Sequence, residues 1–372
     1  MVYLDYAATC PVYPEIIKNV PEISEKYFFN PSSLYRPSVI TRKFFDSVRN
    51  SLGIFLSCKS ENILFMSSAT EACNTVIKGL DYTRRTKIVT WPLEHSAIIN
   101  TLQKCASAGM SVSYAIDNNK GYIEYKDIKD LIDHNTKLLV FMHVNNETGS
   151  INHIEEIAEK VKKFDNQILI FSDIVQSHAK IHINLENIDF ACISGHKVGG
   201  LKGCGVLYVK NKDILRPLID GGGQEFGIRS GTENTLGAYA LLEGSTITRA
   251  KFRNHWDHLL NLNNMIKNHC KTMRFHINSP ESPENRVPYI FNFSTMKLPS
   301  EVMINALSSK NIYVSSASAC SGKKKSRVLT SMGFKSVIAD TAIRISLHPD
   351  TEEDDIKNFL TELDFAVNHL SF

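Results

Sequence analysis

The segment Ile193-Ser194-Gly195-His196-Lys197-Val198-Gly199-Gly200 closes an apolar run with a polar cluster and continues into a glycine-rich loop. A lysine at the carboxyl end of a parallel strand, with His196 and Ser194 just before it, can form a Schiff base while its neighbours hold a phosphate. The same residues also read as a solvated loop lysine. Ile168-Leu-Ile-Phe-Ser-Asp173 puts a carboxylate at a strand end, followed by Gln176 and Ser177. A buried Asp needs a cation or several donors, and a protonated pyridine nitrogen is such a cation. Capping the next helix is the alternative.

Ser67-Ser-Ala-Thr70-Glu-Ala follows the run Asn62 to Met66 and opens a helix, so free N–H groups offer an anion site, or else form an ordinary Ser/Thr cap. The segment has neither the G-x-G-x-x-G of a dinucleotide fold nor the G-x-x-x-x-G-K-[ST] of a nucleotide loop. Glu94-His95-Ser96-Ala97 supplies either a surface histidine at a helix start or an imidazole for stacking on an aromatic cofactor. Asn145-Asn146-Glu147-Thr148-Gly149 is either a plain turn or a polar contact to a cofactor hydroxyl.

Each of these clusters sits just after a short β-rich run: Asn62 to Met66, Lys87 to Trp91, Lys137 to Met142, Ile168 to Phe171 and Ile188 to Ile193. Helical patterns lie between the runs. Arg42 to Phe55, for example, aligns Phe44, Phe45, Val48, Leu52 and Phe55 on one stripe. Apolar strands separated by crossover lengths indicate an α/β fold with a mainly parallel sheet covered on both faces. Beyond Gly237 the pattern becomes one long helical stretch, Tyr239 to Cys270, then a proline-rich turn. A strand at Tyr289 to Ser294, a helix at Ser300 to Lys310, a strand at Thr341 to Ser346 and a helix at Glu352 to His369 follow. The expected division is a large domain over residues 12–250 and a small α+β domain formed by 1–11 and 251–372.

The chain of 372 residues has 42 Lys and Arg against 39 Asp and Glu, a charge of +3 that gives no reason to expect nucleic acid as a partner. Neither a signal peptide nor an apolar run of bilayer length is visible, so no membrane association and a cytoplasmic location are expected. Eight cysteines, at 10, 58, 73, 105, 192, 204, 270 and 320, include no C-x-x-C pair, which disfavours a disulfide framework or a structural metal site.

Taken together these segments resemble the cysteine desulfurases, pyridoxal-phosphate enzymes of class-V aminotransferase type with the aspartate-aminotransferase-like fold type I. The resemblance runs from Leu4-Asp5-Tyr6-Ala7-Ala8-Thr9 and Asn30-Pro31-Ser32-Ser33 through Ala69-Thr70-Glu71, Glu94-His95 and His143-Val-Asn-Asn-Glu147. It continues through Asp173, Gln176-Ser177 and Ser194-Gly-His-Lys197 to Gly221-Gly-Gly-Gln-Glu225 and Arg229-Ser-Gly-Thr-Glu-Asn234. It ends at Ser315-Ser-Ala-Ser-Ala-Cys320 and Ala342-Ile-Arg-Ile-Ser346. The context of Cys320 is similar to that of the NifS/IscS-like group.

The resemblance implies a role for each matching residue. Lys197 would carry pyridoxal 5'-phosphate and shuttle protons, and Asp173 would keep the pyridine nitrogen protonated. Gln176 and Asn146 would contact the ring hydroxyl and the substrate side. Ala69, Thr70, Ser194 and His196 would bind the phosphate, with Thr232 joining from the other subunit of a homodimer. His95 would stack on the ring and move protons. Arg344, helped by Asn30, would clamp the carboxylate of L-cysteine. Cys320 would take the sulfur as a persulfide, releasing alanine, and pass it to an acceptor protein of iron-sulfur cluster assembly or tRNA or cofactor thiolation. The other seven cysteines are expected to be inert, with Cys192 in an apolar strand and Cys73 in a helix.

Several positions depart from the family pattern: Arg36 stands where His is usual, Phe226 where Arg is common, and Ile174-Val175 adds bulk beside Asp173. Lys323-Lys324-Lys325 follow Cys320 in a segment about one residue shorter than usual. A selenocysteine lyase, another enzyme of this cofactor class, or a degenerate assembly subunit are the competing expectations.

Overall fold

The computed structural model describes residues 1–116, 119–316 and 326–370. Cys320 and the three lysines after it lie outside the described residues. Among those described, seven strands form a central sheet in the spatial order Ile63–Met66, Gly205–Val209, Phe190–Ser194, Leu169–Asp173, Thr136–Val140, Lys87–Thr90 and Ser111–Tyr114. Neighbours are parallel except at Gly205–Val209, which runs antiparallel to both strands beside it.

Side chains alternate across this sheet with the two-residue period of a pleated strand. Leu64, Ile88, Leu138, Val140, Phe171 and Leu207 face one layer, packing with Val76 and Ile77 of the helix Ala69–Gly79 and Ile98 and Leu102 of Ser96–Ser107. Ile63, Phe65, Val89, Leu139, Ile170 and Val206 face the other, against the helices Arg36–Phe55, Ile154–Phe164 and Thr235–Asn254. Burial on both faces is why these strands read as continuous apolar runs. The helix expected at Arg42 to Phe55 begins earlier, at Arg36, with Pro37 in its first turn where a missing N–H costs nothing. Its stripe packs as the spacing requires, with Phe45, Val48 and Leu52 buried and Phe44 and Phe55 partly so.

The stretch expected as one helix from Tyr239 to Cys270 is two, Thr235–Asn254 and Trp256–Thr272, because His255 leaves helical geometry at φ −122° and ψ 24°. The break re-aims the chain. Ala238 and Leu241 pack under the central sheet, whereas Phe252, Leu259, Leu262 and Ile266 join a second core with Phe291, Phe293, Ile345, Phe359 and Leu363. That core covers a four-stranded antiparallel sheet in the order Ser315–Ser316, Ala342–Ser346, Ile290–Ser294 and His276–Ile277. The amino terminus belongs to this layer, since Val2–Tyr3 pairs in parallel with Ile312–Tyr313. Among the described residues no helix is long and apolar enough to cross a membrane.

Candidate active site

The carboxyl ends of the parallel strands converge on a cavity of about 280 Å³ bounded by Ala7, Ala8 and Arg344 on its far side. Each strand delivers a polar residue to that edge as the chain leaves the sheet. Ile63–Met66 leads to Ser68, whose hydroxyl accepts from Glu71 N at 3.2 Å and caps the helix beginning Ala69-Thr70. Lys87–Thr90 leads to His95, the amino-terminal cap of Ser96–Ser107. Thr136–Val140 leads to Asn146, Leu169–Asp173 ends on Asp173 with Gln176 beyond, and Phe190–Ser194 ends on Ser194 and opens the turn Gly195–Lys197. All of these line the cavity, as do Ala69, Thr70 and His196.

The loop after Lys197 is pinned by a glycine. Gly199 has φ +69°, and a Cβ there would stand 2.4 Å from the Tyr13 ring, so only glycine lets the loop pass that ring. A second glycine, Gly149 at φ +71°, closes the turn that presents Asn146. Asn145 Oδ1 accepts from the Glu147 and Thr148 N–H groups at 2.9 and 3.0 Å in that turn. The Asn145 to Gly149 segment is thus a turn through Asn145 and a cavity wall through Asn146.

The charges in the cavity are arranged as opposites. Asp173 is buried, and burial raises its carboxyl above the ordinary range, opposed by the nearby His95, an N–H from Val175 at 2.9 Å and a thiol from Cys192. Lys197 Nζ donates to the carbonyls of Ala7 and Ala8 at 2.5 and 2.6 Å. Burial pushes His95 below its usual value, with Asp173 pulling the other way. Its Nδ1 accepts from Ala97 N at 3.2 Å, so the neutral ring carries its proton on Nε2. Burial and the positive charge of Lys197 push His196 down to about 4. Gln176 donates through Nε2 to Ala7 O at 2.9 Å, while its buried Oε1 has no partner among the described residues.

Arg344 lies on the strand Ala342–Ser346 with a side chain only 4% exposed. One terminal nitrogen donates to Asp5 at 2.7 Å and the other to Asn146 O at 2.9 Å, and its buried Nε has no partner among the described residues. Asn30 and Thr232 are exposed and do not line the cavity. Asn30 Oδ1 accepts from Ser32 N at 2.9 Å in a tight local turn.

Four contacts were not visible in the sequence. Asp5 holds Arg344 across 339 positions of chain. Ser326 donates to Glu147 Oε2 at 2.6 Å, and burial pushes Glu147 up to about 7. Arg327 donates to the carbonyls of Pro92 and Glu94, just ahead of His95. Cys73 and Cys192 place their sulfurs 3.8 Å apart beside Asp173, within a trio whose ligand atoms lie within 4.8 Å of one another. Burial raises the Cys192 thiol, which keeps it protonated as a weak donor toward the Asp173 carboxylate, and the Cys73 thiol, also raised, shares its hydrogen bond with Cys192. Phe226, where the resemblance leads one to expect Arg, sits at φ +59° with its ring 5.1 Å from the Arg49 guanidinium. That guanidinium makes two 2.7 Å bonds to Glu225. Val175 is half-buried in the cavity wall, and Arg36 is exposed at its helix start.

A cysteine desulfurase IscS of Clostridium botulinum is 34% identical over 371 residues, spanning 97% of this chain and 93% of the relative. One from Buchnera aphidicola subsp. Schizaphis graminum is 35% identical over 382 residues, spanning 99% and 93%. Among solved structures, a NifS-like protein superposes with a TM-score of 0.92 at 30% identity over 99% of both chains. A structure described as SspA in complex with cysteine superposes at 0.79 with 29% identity, over 94% of this chain and 99% of the other. With residues 2–359 matching the aminotransferase class-V model and the strand-end cavity built as above, this chain belongs to the aminotransferase class-V family.

Proposed function

We propose that this protein is a pyridoxal-phosphate-dependent cysteine desulfurase that acts as a homodimer. Support comes first from the gathering of Lys197, Asp173, His95 and Arg344 around one cavity. The residues fit the cofactor: a buried carboxylate raised by burial favours a cationic ring nitrogen beside it, and an unpartnered Gln176 Oε1 awaits a donor. Free N–H groups at Ala69 and Thr70, with Ser194 and His196, suit a phosphate. Thr232 would complete the phosphate site of the neighbouring subunit.

Bound pyridoxal phosphate would supply an electron sink for negative charge beside the substrate Cα. The chain's own groups do the rest. Lys197 Nζ holds the cofactor and moves a proton at the Cα. His95 Nε2 holds or delivers a proton near the ring. Arg344, with Asn30 as a proposed helper, orients the substrate carboxylate. Cys320 Sγ attacks the cysteine sulfur, so that the substrate C–S bond breaks, an S–S bond forms and alanine leaves. The described residues flanking the Cys320 segment lie beside these groups: Ser315 pairs with Arg344, and Ser326 is bonded to Glu147. The sulfur would pass to an acceptor protein of iron-sulfur cluster assembly or tRNA or cofactor thiolation in the cytoplasm.

The deciding experiment follows alanine release and maps persulfide by mass spectrometry. Wild type should form one persulfide, on Cys320, and Cys320→Ser should keep the cofactor yet form none. In Lys197→Ala, borohydride should no longer fix cofactor to the chain. Persulfide on another cysteine, or faster turnover of selenocysteine with none on Cys320, would overturn the reading.

A further inference from the structure

A larger cavity, of about 710 Å³, opens where the ends of the helices Arg36–Phe55 and Thr235–Asn254 meet residues 178–183. Lys197 and the other strand-end residues are absent from its lining. Every charged side chain in that lining is basic, namely Lys180, Arg249 and Arg253, with His178 and His182 beside them and no Asp or Glu. In a chain with nearly equal numbers of acidic and basic residues, such a segregation concentrates positive potential in a concave site. The remaining wall is apolar and aromatic, from Phe55, Phe252 and Trp256. Volume and composition both match a small-molecule site.

Lys180 is the informative residue. It follows Ala179, which is held at φ +64°, and its ammonium lies 5.7 Å from the Phe252 ring centre and 5.2 Å from that of Tyr289. No carboxylate among the described residues pairs with it. Burial pulls the ammonium down to about 8, and only the Cys10 thiol, which shares a small neighbouring cavity with Lys180, opposes that. Two ring faces stabilise a cation only in part, so the site keeps an uncompensated positive charge at its floor. Arg249 stands at the rim over the Phe55 ring with one N–H on Phe55 O at 2.7 Å, which leaves its other donors available.

We propose that this cavity binds a small organic anion with an aromatic body, its acidic head paired with Lys180 and its ring against Phe55, Phe252 and Trp256. The flat ring packs on Trp256 and the edge of Phe55, whose face Arg249 covers, and Arg249 and Arg253 add positive charge at the mouth. The interaction is independent of the desulfurase reading.

The test titrates the holoenzyme with 8-anilinonaphthalene-1-sulfonate, followed by probe fluorescence and by quenching of Trp256, one of two tryptophans. The uncharged N-phenyl-1-naphthylamine serves as the control. Saturable binding of one sulfonate per chain is expected. Lys180→Met, which keeps the length and removes the charge, should weaken it at least about tenfold, with the neutral probe changed less than about twofold. Arg253→Gln, at an exposed position that cannot disturb the core, should weaken it about threefold. Unsaturable binding, equal affinity in wild type and Arg253→Gln, or equal loss of both probes in Lys180→Met would each overturn the proposal.

Discussion

Replacing Asp5 by Asn keeps the shape of the side chain and removes the one carboxylate among the described residues bonded to Arg344. Leaving a buried ion without its partner costs about 3–5 kcal/mol. Here the cost is smaller, because the Asp5 side chain is 20% exposed and Arg344 keeps its bond to Asn146 O. About 2–3 kcal/mol is then expected. At ~2.1 cal/mol/K per residue the unfolding entropy is about 0.8 kcal/mol/K, so the melting temperature should fall by about 3 °C. Ligand affinity should move the opposite way, because the guanidinium released from Asp5 is free to take an incoming carboxylate. L-Alanine, the proposed product, should therefore raise the melting temperature of Asp5→Asn more than that of wild type. Scanning calorimetry on wild type, Asp5→Asn, Arg344→Gln and the double variant closes a mutant cycle. The double variant should be more stable than the sum of the single changes by about 2 kcal/mol. A fall under about 1 °C, or additivity within about 0.5 kcal/mol, would refute the idea that Asp5 holds the Arg344 charge.

Glu94 accepts from Trp91 Nε1 at 2.5 Å and Met142 N at 2.6 Å, and burial raises it to about 8. A raised carboxyl stabilises fully below its unfolded value, near 4.5, and loses that contribution as pH rises toward 8. Glu94→Gln should thus gain on wild type by up to about 1.4 kcal/mol per pH unit across that window, and a constant difference in melting temperature would contradict it. Gly149→Ala should cost at least about 2 kcal/mol in urea unfolding, because its Cβ would meet Ile290 O at 2.5 Å at positive φ. A loss under about 0.5 kcal/mol would mean the turn can shift freely. In a Cys320→Ser background, Ellman's reagent should find at most Cys58 quickly, since the six other described cysteines are buried. Rapid native labelling of Cys192 would show that the floor beneath Asp173 opens.

The large sheet was legible because both its faces are covered. Ile63–Met66, Lys87–Thr90, Thr136–Val140, Leu169–Asp173 and Phe190–Ser194 all fall within a residue or two of the apolar runs. Two strands escaped notice for different reasons. Ser111–Tyr114 is an edge strand, largely solvent-facing, whose Ser-Val-Ser-Tyr has no apolar run to read. Gly205–Val209 follows only eleven residues after Ser194, too few for a crossover helix, so it had to return antiparallel. The break at His255 was hidden because apolar spacing continues through it while the face being buried changes cores.

The cavity residues were legible one by one since each follows a strand end, and a parallel sheet brings all such ends to the same edge. Their mutual restraints were not. Asp5 and Arg344, or Glu147 and Ser326, are each separated by more than 170 positions, and no local spacing encodes a pair that only the two packed sheets bring together. These hidden pairs share one arrangement. Arg344, Ser326 and Arg327, all from the later part of the chain, are bonded to Asp5, Glu147 and the carbonyls of Pro92 and Glu94. Asp5 pairs beside the smaller sheet, as an isolated bridge to Ser346, so the Arg344 bond fastens the amino-terminal segment to that layer. Ser326 and Arg327 instead cross to the central sheet's loops. A perturbation at Glu147 should consequently act first on Ser326, whereas one at Asp5 should act first on Arg344 and, through it, on the neighbouring Ser315.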